Sequence, residues 1–283
     1  MIGDETETPA SISALAVKLG MSRQNFYKER RARQRAEADA ELAEQLVRGE
    51  RALQPRLGGR KLFKILGPVL EKEGIRLGRD KFFGILREKG LLVPPLPKSP
   101  TRTTRFEPGL PVFRNLVTGL ELTGPNQAWA ADITYIRTDE GFLYLSLITD
   151  MWSRKIVGYH AGASLETEGA LSALAMALSS LGGGSKPVHH SDRGCQYASH
   201  LYVGKLREAG LQISMTEELH CYENAMAERV NGILKQEYYL GSSFRNKAQA
   251  EAAVKEAVYL YNTRRPHKSL EYETPEKMHR TAA

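Results

Sequence analysis

The spacing of apolar residues divides the chain into a helical N-terminal third and a later part in which strands and helices alternate. In the first predicted helix the apolar positions recur at helical spacing: Ile12, Leu15, Ala16 and Leu19. Gly20 can end this helix and Ser22 can cap the next one. This order predicts a helix-turn-helix, whose second helix would enter the DNA major groove. A helical hairpin with a solvated basic face is the alternative.

Two more amphipathic helices are predicted between residues 40 and 92, separated by Gly74 and Gly78 and closed by Gly90. Their apolar positions are Leu62, Ile65, Leu66, Val69 and Leu70 in one helix, and Phe82, Phe83, Leu86, Leu91 and Leu92 in the other. This unit is either a second helix-turn-helix-like DNA-binding module or a structural spacer. A basic, proline-rich linker follows over 94–121.

From residue 122 the apolar pattern predicts an α/β domain. Strands are expected at 128–138, 142–148, 155–159, 187–191 and 211–215, with a hairpin turn at 139–141. Helices are expected at 166–181 and 199–209, from 224, and at 246–262. The order βββαβαβα describes a mixed sheet with helices on its faces and is that of the ribonuclease H-like fold.

The predicted organisation has five parts. They are a disordered tip with a helix-turn-helix at 1–36, a helical module at 37–93, the linker at 94–121, a catalytic core at 122–245, and a C-terminal helix with a basic strap at 246–283.

The charge distribution predicts a polyanionic partner. The net charge is +7, and it belongs to residues 1–100, which carry 20 Lys/Arg against 13 Asp/Glu. Ten residues are candidates for DNA contact: Arg23, Gln24, Lys28, Arg31, Arg60, Lys61, Lys235, Arg264, Arg265 and His267. Only Cys195 and Cys221 occur, and neither a signal core nor a long apolar run is present, so we expect no disulfide framework, no membrane segment and a bacterial cytoplasmic location close to DNA.

Three carboxylates lie in settings that favour metal chemistry. Asp132 interrupts an apolar strand, Asp192 ends a short strand before a glycine, and Glu228 lies in a helix, with 35 residues between Asp192 and Glu228. Mg²⁺ prefers oxygen ligands, and paired ions can activate one oxygen and stabilise another in phosphodiester chemistry. On the helix, Asn224, Asn231 and Lys235 fall within about 60° of Glu228, which predicts a polar stripe.

At this point the sequence resembles the OrfB transposases of the insertion sequence 3 family. The motifs that carry the resemblance are Trp129-Ala-Ala-Asp132-Ile-Thr-Tyr135, Thr149-Asp-Met-Trp-Ser-Arg-Lys-Ile-Val-Gly158, His190-Ser-Asp192-Arg-Gly-Cys-Gln-Tyr197, Glu223-Asn-Ala-Met-Ala-Glu228, Leu234-Lys-Gln-Glu237, and Tyr261-Asn-Thr-Arg-Arg-Pro-His-Lys-Ser-Leu270 with Thr274-Pro275. The resemblance implies an integrase-like catalytic core in which Asp132, Asp192 and Glu228 are catalytic residues and hold two Mg²⁺ ions, with Mn²⁺ as a substitute. The family's basic residue after the glutamate falls on Lys235. Glu223 departs from the aspartate common before asparagine.

The resemblance further implies Mg²⁺-dependent cleavage at the 3′ ends of an element and strand transfer. The implied partners are the double-stranded terminal inverted repeats, target DNA, further copies of the chain in a dimer or larger assembly, and possibly an upstream-frame OrfA product. Two alternatives stay open: a decayed transposase that acts as a DNA-binding repressor, and a structure-selective nuclease of the same fold.

Other candidate chemistry is weaker. Asp150 precedes a turn, which favours capping over metal binding. His189, His190, Cys195 and Cys221 lack paired ligand spacing, so a zinc site is disfavoured. Ser191 has no relay that would make it a nucleophile. The C-terminal strap is predicted to grip DNA backbone through a basic, aromatic set, Tyr261, Arg264, Arg265, His267 and Lys268, with a solvated strap as the alternative.

Overall fold

The structure is a computed structural model, and it describes residues 12–94, 109–182, 184–217 and 224–281. The tip at 1–10, residues 95–108 of the proline-rich linker, Cys221 and Glu223 lie outside these ranges. Contacts divide the chain into two compact units, Met1–Glu50 with Ile65–Leu92, and Arg51–Lys64 with Val93–Ala283.

The N-terminal helices begin and end where local sequence favours it. Helix α1 spans Ile12–Lys18 and α2 spans Arg23–Leu53. Gly20 takes a φ of 66° between them, and the Ser22 hydroxyl accepts a hydrogen bond from the Asn25 amide at 3.2 Å. The predicted turn between two helices is therefore present.

Helix α2 is longer than the sequence pattern predicted. It runs for 31 residues, so the predicted boundary between 36 and 37 falls inside it. The first part of α2 is rich in Ala, Arg and Glu, which favour helix, and the helix ends just before Pro55. Helix α3 (Gly59–Lys72) and α4 (Arg79–Glu88) follow, close to their predicted positions.

A five-stranded mixed sheet forms the centre of the larger unit. Its strands are β1 (Ala128–Thr138), β2 (Gly141–Asp150), β3 (Ile156–Gly162), β4 (Val188–Ser191) and β5 (Gln212–Met215). They lie in the order β3-β2-β1-β4-β5, with β1 to β3 antiparallel and β4 and β5 parallel to β1. This is the ribonuclease H-like arrangement that the element order predicted.

Helices cover both faces of the sheet because side chains along each strand alternate. On one face Trp129 and Ala131 pack with α5 (Thr167–Ser179) and α7 (His200–Glu208), and short α6 (Cys195–Ala198) lies between those two helices in sequence. A Cβ at Gly158 would lie 2.2 Å from the Ala173 carbonyl oxygen, so α5 can pack this closely only over a glycine.

The other face packs against α8 (Ala225–Glu237) and α9 (Lys247–Thr263). Ile136 and Leu145 of the sheet meet Val230 and Leu234 of α8 in this core. The start of α8 is thereby held over β1, the central strand.

The chain ends on a short helix that is tied to the sheet. A 3-10 turn at Lys268–Leu270 leads to α10 (Pro275–Thr281). The buried Asp150 carboxylate accepts hydrogen bonds from the Asn126 amide and from the Ser153 amide and hydroxyl. The Ser153 hydroxyl also lies 2.9 Å from Nδ1 of His279 in α10. The predicted capping role of Asp150 is thus confirmed. None of the helices in the described ranges is both long and apolar enough to span a membrane.

Candidate active site

Asp132 lies in the middle of β1, on the face of the sheet that α8 covers. Its neighbours Ala131 and Ile133 alternate with it and point to the opposite face, where apolar side chains pack. The Asp132 carboxylate accepts hydrogen bonds from the Asn231 side-chain amide at 2.7 Å and from the backbone amide of Ile133 at 2.9 Å. A charged side chain on the central strand is therefore oriented by two donors.

Asp192 follows β4 directly, and β4 pairs in parallel with β1 through the register Ala131↔Ser191. Its carboxylate accepts a hydrogen bond from the Gly194 amide at 3.0 Å, and Gly194 is the N-cap of α6. Because β4 and β1 are neighbours and run in the same direction, Asp192, at the end of β4, lies next to β1.

Helix α8 brings Glu228 to the same place and is fastened to β1 by two asparagines. Asn224, the N-cap residue, donates from Nδ2 to the Ala131 carbonyl at 3.1 Å, and Asn231 donates to Asp132. Glu228 lies between these two asparagines in sequence and is exposed.

The three carboxylates interact electrostatically. Burial, and then the negative charge of Asp192, raise the pKa of Asp132 to about 7, with a smaller contribution from Glu228; the hydrogen bond from Asn231 opposes this rise. The residue keeps some exposed surface, but its carboxylate is enclosed by protein and so loses hydration. Burial and Asp192 also raise the pKa of Glu228. Negative charge is therefore concentrated at this edge of the sheet.

This set of donors fits a hard divalent cation. The carboxylates are oxygen ligands with an excess of negative charge, and Oδ1 of Asn224 and Oδ1 of Asn231 are buried without a hydrogen-bond partner among the described residues. Within those same ranges, however, no three His, Cys, Asp or Glu side chains already form a ligand cluster. The three carboxylates thus lie in the same part of the sheet edge without forming a closed ligand set, and Glu228 is the exposed one of the three.

The polar stripe predicted on α8 is partly buried. Asn224 and Asn231 are 3% and 6% exposed, so they lie against β1 and do not face solvent. Helical spacing places residues on a face but cannot say which neighbour that face meets. The bond from Asn231 to Asp132 was missed for this reason, and the only sequence signal for it was the spacing of Asn231 from Glu228.

We expect Asn231→Ala to weaken the site without unfolding the protein. The change removes the donor that orients the Asp132 carboxylate, and loss of such a supporting hydrogen bond costs about 10- to 100-fold in metal affinity or activity. The measurement is the Mg²⁺ concentration at half-maximal DNA cleavage, which should rise in Asn231→Ala, with Asn246→Ala, at the N-cap of α9, as the matched asparagine control. An unchanged Mg²⁺ midpoint, with a normal melting temperature, would rule out the orienting role.

Lys235 extends the site along α8. Burial lowers the pKa of its ammonium, and the charge of Asp132 opposes that change. The ammonium is therefore half-buried and within electrostatic reach of the carboxylates, as its spacing from Glu228 suggested.

The basic strap differs from the prediction. Arg265 is only 3% exposed and donates two hydrogen bonds to Glu237, at 2.7 and 2.8 Å. His267 is also buried and lies 2.9 Å from Arg265, and Lys61 donates to Glu237 at 2.9 Å. These three candidates for DNA contact are engaged inside the protein, because Glu237 is the partner of Lys61 and Arg265, and Arg265 is the partner of His267. The expectation that Arg265 and His267 grip DNA directly is corrected.

The remaining DNA-contact candidates are accessible. Six of them are exposed: Arg23, Gln24, Lys28, Arg31, Arg60 and Arg264. The structure thus divides the predicted set into an exposed group and a group buried around Glu237.

The two histidines that were weighed as zinc ligands have hydrogen-bonding neighbours inside the protein. His189 lies 2.9 Å from the Tyr202 hydroxyl, and Nδ1 of His190 lies 2.8 Å from the Ser214 hydroxyl. Cys195 is free. Burial, followed by the neighbouring His190, lowers the pKa of His189 to about 3, so it stays neutral in the core.

Comparisons with known proteins agree with the fold. Residues 123–221 and 209–275 match two family descriptions of an integrase core domain. The chain is 37% identical over 220 residues to the insertion element IS600 uncharacterized 31 kDa protein of Shigella sonnei, covering 76% of this chain and 80% of that protein. It is 40% identical over 147 residues to the transposase InsF for insertion sequence IS3A of Escherichia coli, covering 52% of this chain and 51% of that protein.

Among solved structures, the chain is similar to the HTLV-2 integrase catalytic core domain in complex with magnesium, with a TM-score of 0.45 and 19% identity over 56% of this chain and 99% of that one.

The sheet order and the integrase core domain define a protein of the integrase class with a ribonuclease H-like core. A further relative, the transposase for insertion sequence element IS629 of Shigella sonnei, is 37% identical over 69% of this chain and 66% of that protein. The chain belongs to the insertion sequence 3 family of transposases.

Proposed function

We propose that this transposase binds the ends of its insertion sequence, cleaves DNA at the 3′ ends of the element, and joins those ends to target DNA. The observation that carries the proposal is the meeting of carboxylates from three separate elements: Asp132 on β1, Asp192 after the neighbouring strand β4, and Glu228 on α8, which is fastened to β1. Burial, and then the charges of Asp192 and Glu228, raise the pKa of Asp132 to about 7. Such a concentration of negative charge is costly unless a cation neutralises it, and phosphodiester chemistry uses divalent cations in this way.

In this proposal Asp132, Asp192 and Glu228 hold Mg²⁺, with Mn²⁺ as a substitute. When bound, Mg²⁺ supplies activation of an oxygen nucleophile and stabilisation of the leaving oxygen. Asn231 orients the Asp132 carboxylate by donating to its Oδ2, and Asn224 holds the start of α8 against β1. The nucleophile is water in the first step and the freed 3′-hydroxyl in the second, so the chain needs no side-chain nucleophile.

Recognition of the element ends is assigned to the exposed start of α2, with Arg23, Gln24, Lys28 and Arg31 as contacts to phosphates and base edges. The partners are double-stranded terminal repeats and target DNA, further copies of this chain in a dimer or larger assembly, and an upstream-frame product where the element encodes one. The site of action is the bacterial cytoplasm, where the DNA lies.

The deciding experiment incubates the full chain with candidate end DNA and Mg²⁺ and maps the strands. Cleavage at the 3′ end, followed by joined-strand products, is expected. Hydrolysis without joining would favour a structure-selective nuclease, and specific binding without any cleavage would favour a decayed transposase that acts as a repressor.

We also expect Lys235→Ala to weaken engagement of DNA at the active site. Lys235 lies about 10.5 Å along α8 from Glu228, by the helical rise, so a phosphate next to the reacting one can meet its ammonium. Loss of one charged hydrogen bond should reduce joining at low salt roughly tenfold.

Arginine should substitute in part and glutamine poorly, because the contact depends on charge. Added salt should narrow the difference between wild type and Lys235→Ala. If wild type and Lys235→Ala join DNA equally well at low salt, Lys235 has only a structural role in α8.

A further inference from the structure

The segment Arg51–Lys64 groups with the sheet-containing unit although it precedes the linker. It contains five basic residues and no acidic one: Arg51, Arg56, Arg60, Lys61 and Lys64. A strongly cationic stretch of 14 residues within the catalytic unit is not explained by the active-site carboxylates.

Buried apolar side chains and hydrogen bonds fix this segment in place. Leu57 and Leu62 are 1% and 0% exposed. The Tyr238 hydroxyl, just past α8, donates to the Gln54 side chain at 3.2 Å, and Lys61 donates to Glu237. The segment is therefore anchored next to the C-terminal end of the catalytic helix.

Its charge is only partly neutralised inside the protein. Glu237 is shared between Lys61 and Arg265, so one negative charge faces two positive ones. Burial and then the charge of Arg265 lower the pKa of Lys61 to about 8, with a further contribution from Arg229. The surroundings of Lys61 thus carry an excess of positive charge.

Two observations describe the cations of the segment that are not paired with Glu237. Nε and Nη2 of Arg51 are buried and have no hydrogen-bond partner in the part of the chain that the structure describes, although buried donors are nearly always bonded. Arg60 and Lys64 are exposed, and they are one helical turn apart in α3, so their side chains share a face.

We propose that Arg51–Lys64 is a phosphate-binding segment through which the catalytic unit itself holds the backbone of duplex DNA, independently of sequence. The proposal rests on the proposed function, because DNA is the polyanion that a transposase must hold beside its carboxylates. Side chains four residues apart on a helix lie about 6 Å from each other, near enough to contact neighbouring phosphates of one strand. The anchoring acid, Glu237, keeps Lys61 in the protein, and the exposed Arg60 and Lys64 make the contacts.

The test measures binding of the full chain to duplex DNA of unrelated sequence, by fluorescence anisotropy without Mg²⁺ over a range of salt. The double variant Arg60→Ala/Lys64→Ala should bind about tenfold more weakly at low salt. The slope of log affinity against log salt should fall by roughly two, since each phosphate contact contributes about 0.9. The control is Arg245→Ala/Lys255→Ala, which removes two exposed charges from the same unit and should change neither quantity.

Equal affinity and equal salt slope in the two double variants would overturn the proposal. If the first variant instead lost binding to polyglutamate but kept its affinity for duplex DNA, the segment would be a surface for acidic proteins and the proposal would also fail. The assay contains no Mg²⁺ and no element end, so it is independent of cleavage. If the Arg60→Ala/Lys64→Ala variant loses affinity for DNA while the wild-type chain never cleaves end DNA, this inference holds and the proposed function is rejected.

Discussion

Asp132→Asn, Asp192→Asn and Glu228→Gln should each abolish DNA cleavage and joining, a loss of at least about 1000-fold, while binding to element ends stays within about twofold of wild type. Each change removes one negative charge from the proposed ligand set and keeps the side-chain volume. The exposed cations assigned to DNA contact lie on other residues, so binding does not depend on these carboxylates. Removing a metal ligand costs several kcal/mol of transition-state stabilisation, and 1.36 kcal/mol corresponds to tenfold in rate.

The matched control is Asp139→Asn, in the turn between β1 and β2, which should cleave and join like wild type. Strand mapping on end DNA gives the rates, and binding of Mn²⁺ followed by paramagnetic relaxation gives a readout that needs no turnover. Substantial cleavage by any one of the three variants would remove that residue from the site.

Glu237→Gln should be the most destabilising single substitution in the larger unit outside its apolar core. Arg265 is 3% exposed, and the change leaves its guanidinium buried without a countercharge. Breaking a buried ion pair from one side costs about 3–5 kcal/mol, which corresponds to a fall in melting temperature of roughly 10 °C for a unit of this size. Thermal unfolding followed by circular dichroism measures it.

The pH dependence of this loss has a defined sign. Burial alone would raise the pKa of Glu237, but hydrogen bonds and charges from Arg265 and Lys61 outweigh it and hold the pKa below its usual value. A carboxyl with a lowered folded pKa stabilises the fold fully above its unfolded pKa of about 4.3 and loses that contribution as pH falls through the folded value. The difference between wild type and Glu237→Gln should therefore persist at neutral pH and disappear in acid. Glu251→Gln, an exposed acid on α9, is the control and should leave the melting temperature unchanged.

Local sequence predicted the sheet well because period-two alternation and turn residues are local properties. The limits of β1 agree with the predicted 128–138, and Gly141 takes a φ of 102° at the start of β2, next to the expected turn. The mixture of parallel and antiparallel strands followed from the order of strands and helices along the chain. The position of Asp132 on the central strand follows from the same pattern.

The environment of individual charges was not predictable in this way. Glu237 meets Arg265 across 28 residues and Lys61 across 176 residues of sequence, and no periodicity within α8 or the strap encodes such a meeting. The same applies to Asn231, whose partner Asp132 is 99 residues away. The sequence therefore could not show that Arg265 and His267, which it offered as DNA contacts, are buried in the protein.

The attachment of α10 has a practical consequence for handling the protein. Because His279 lies within hydrogen-bonding distance of Ser153, which in turn donates to the fully buried Asp150, α10 closes over the end of β2. Trimming the chain before Pro275 would open that carboxylate to water. Helix α10 thus shields the end of β2 from water, and a version of the chain that lacks α10 would expose that end.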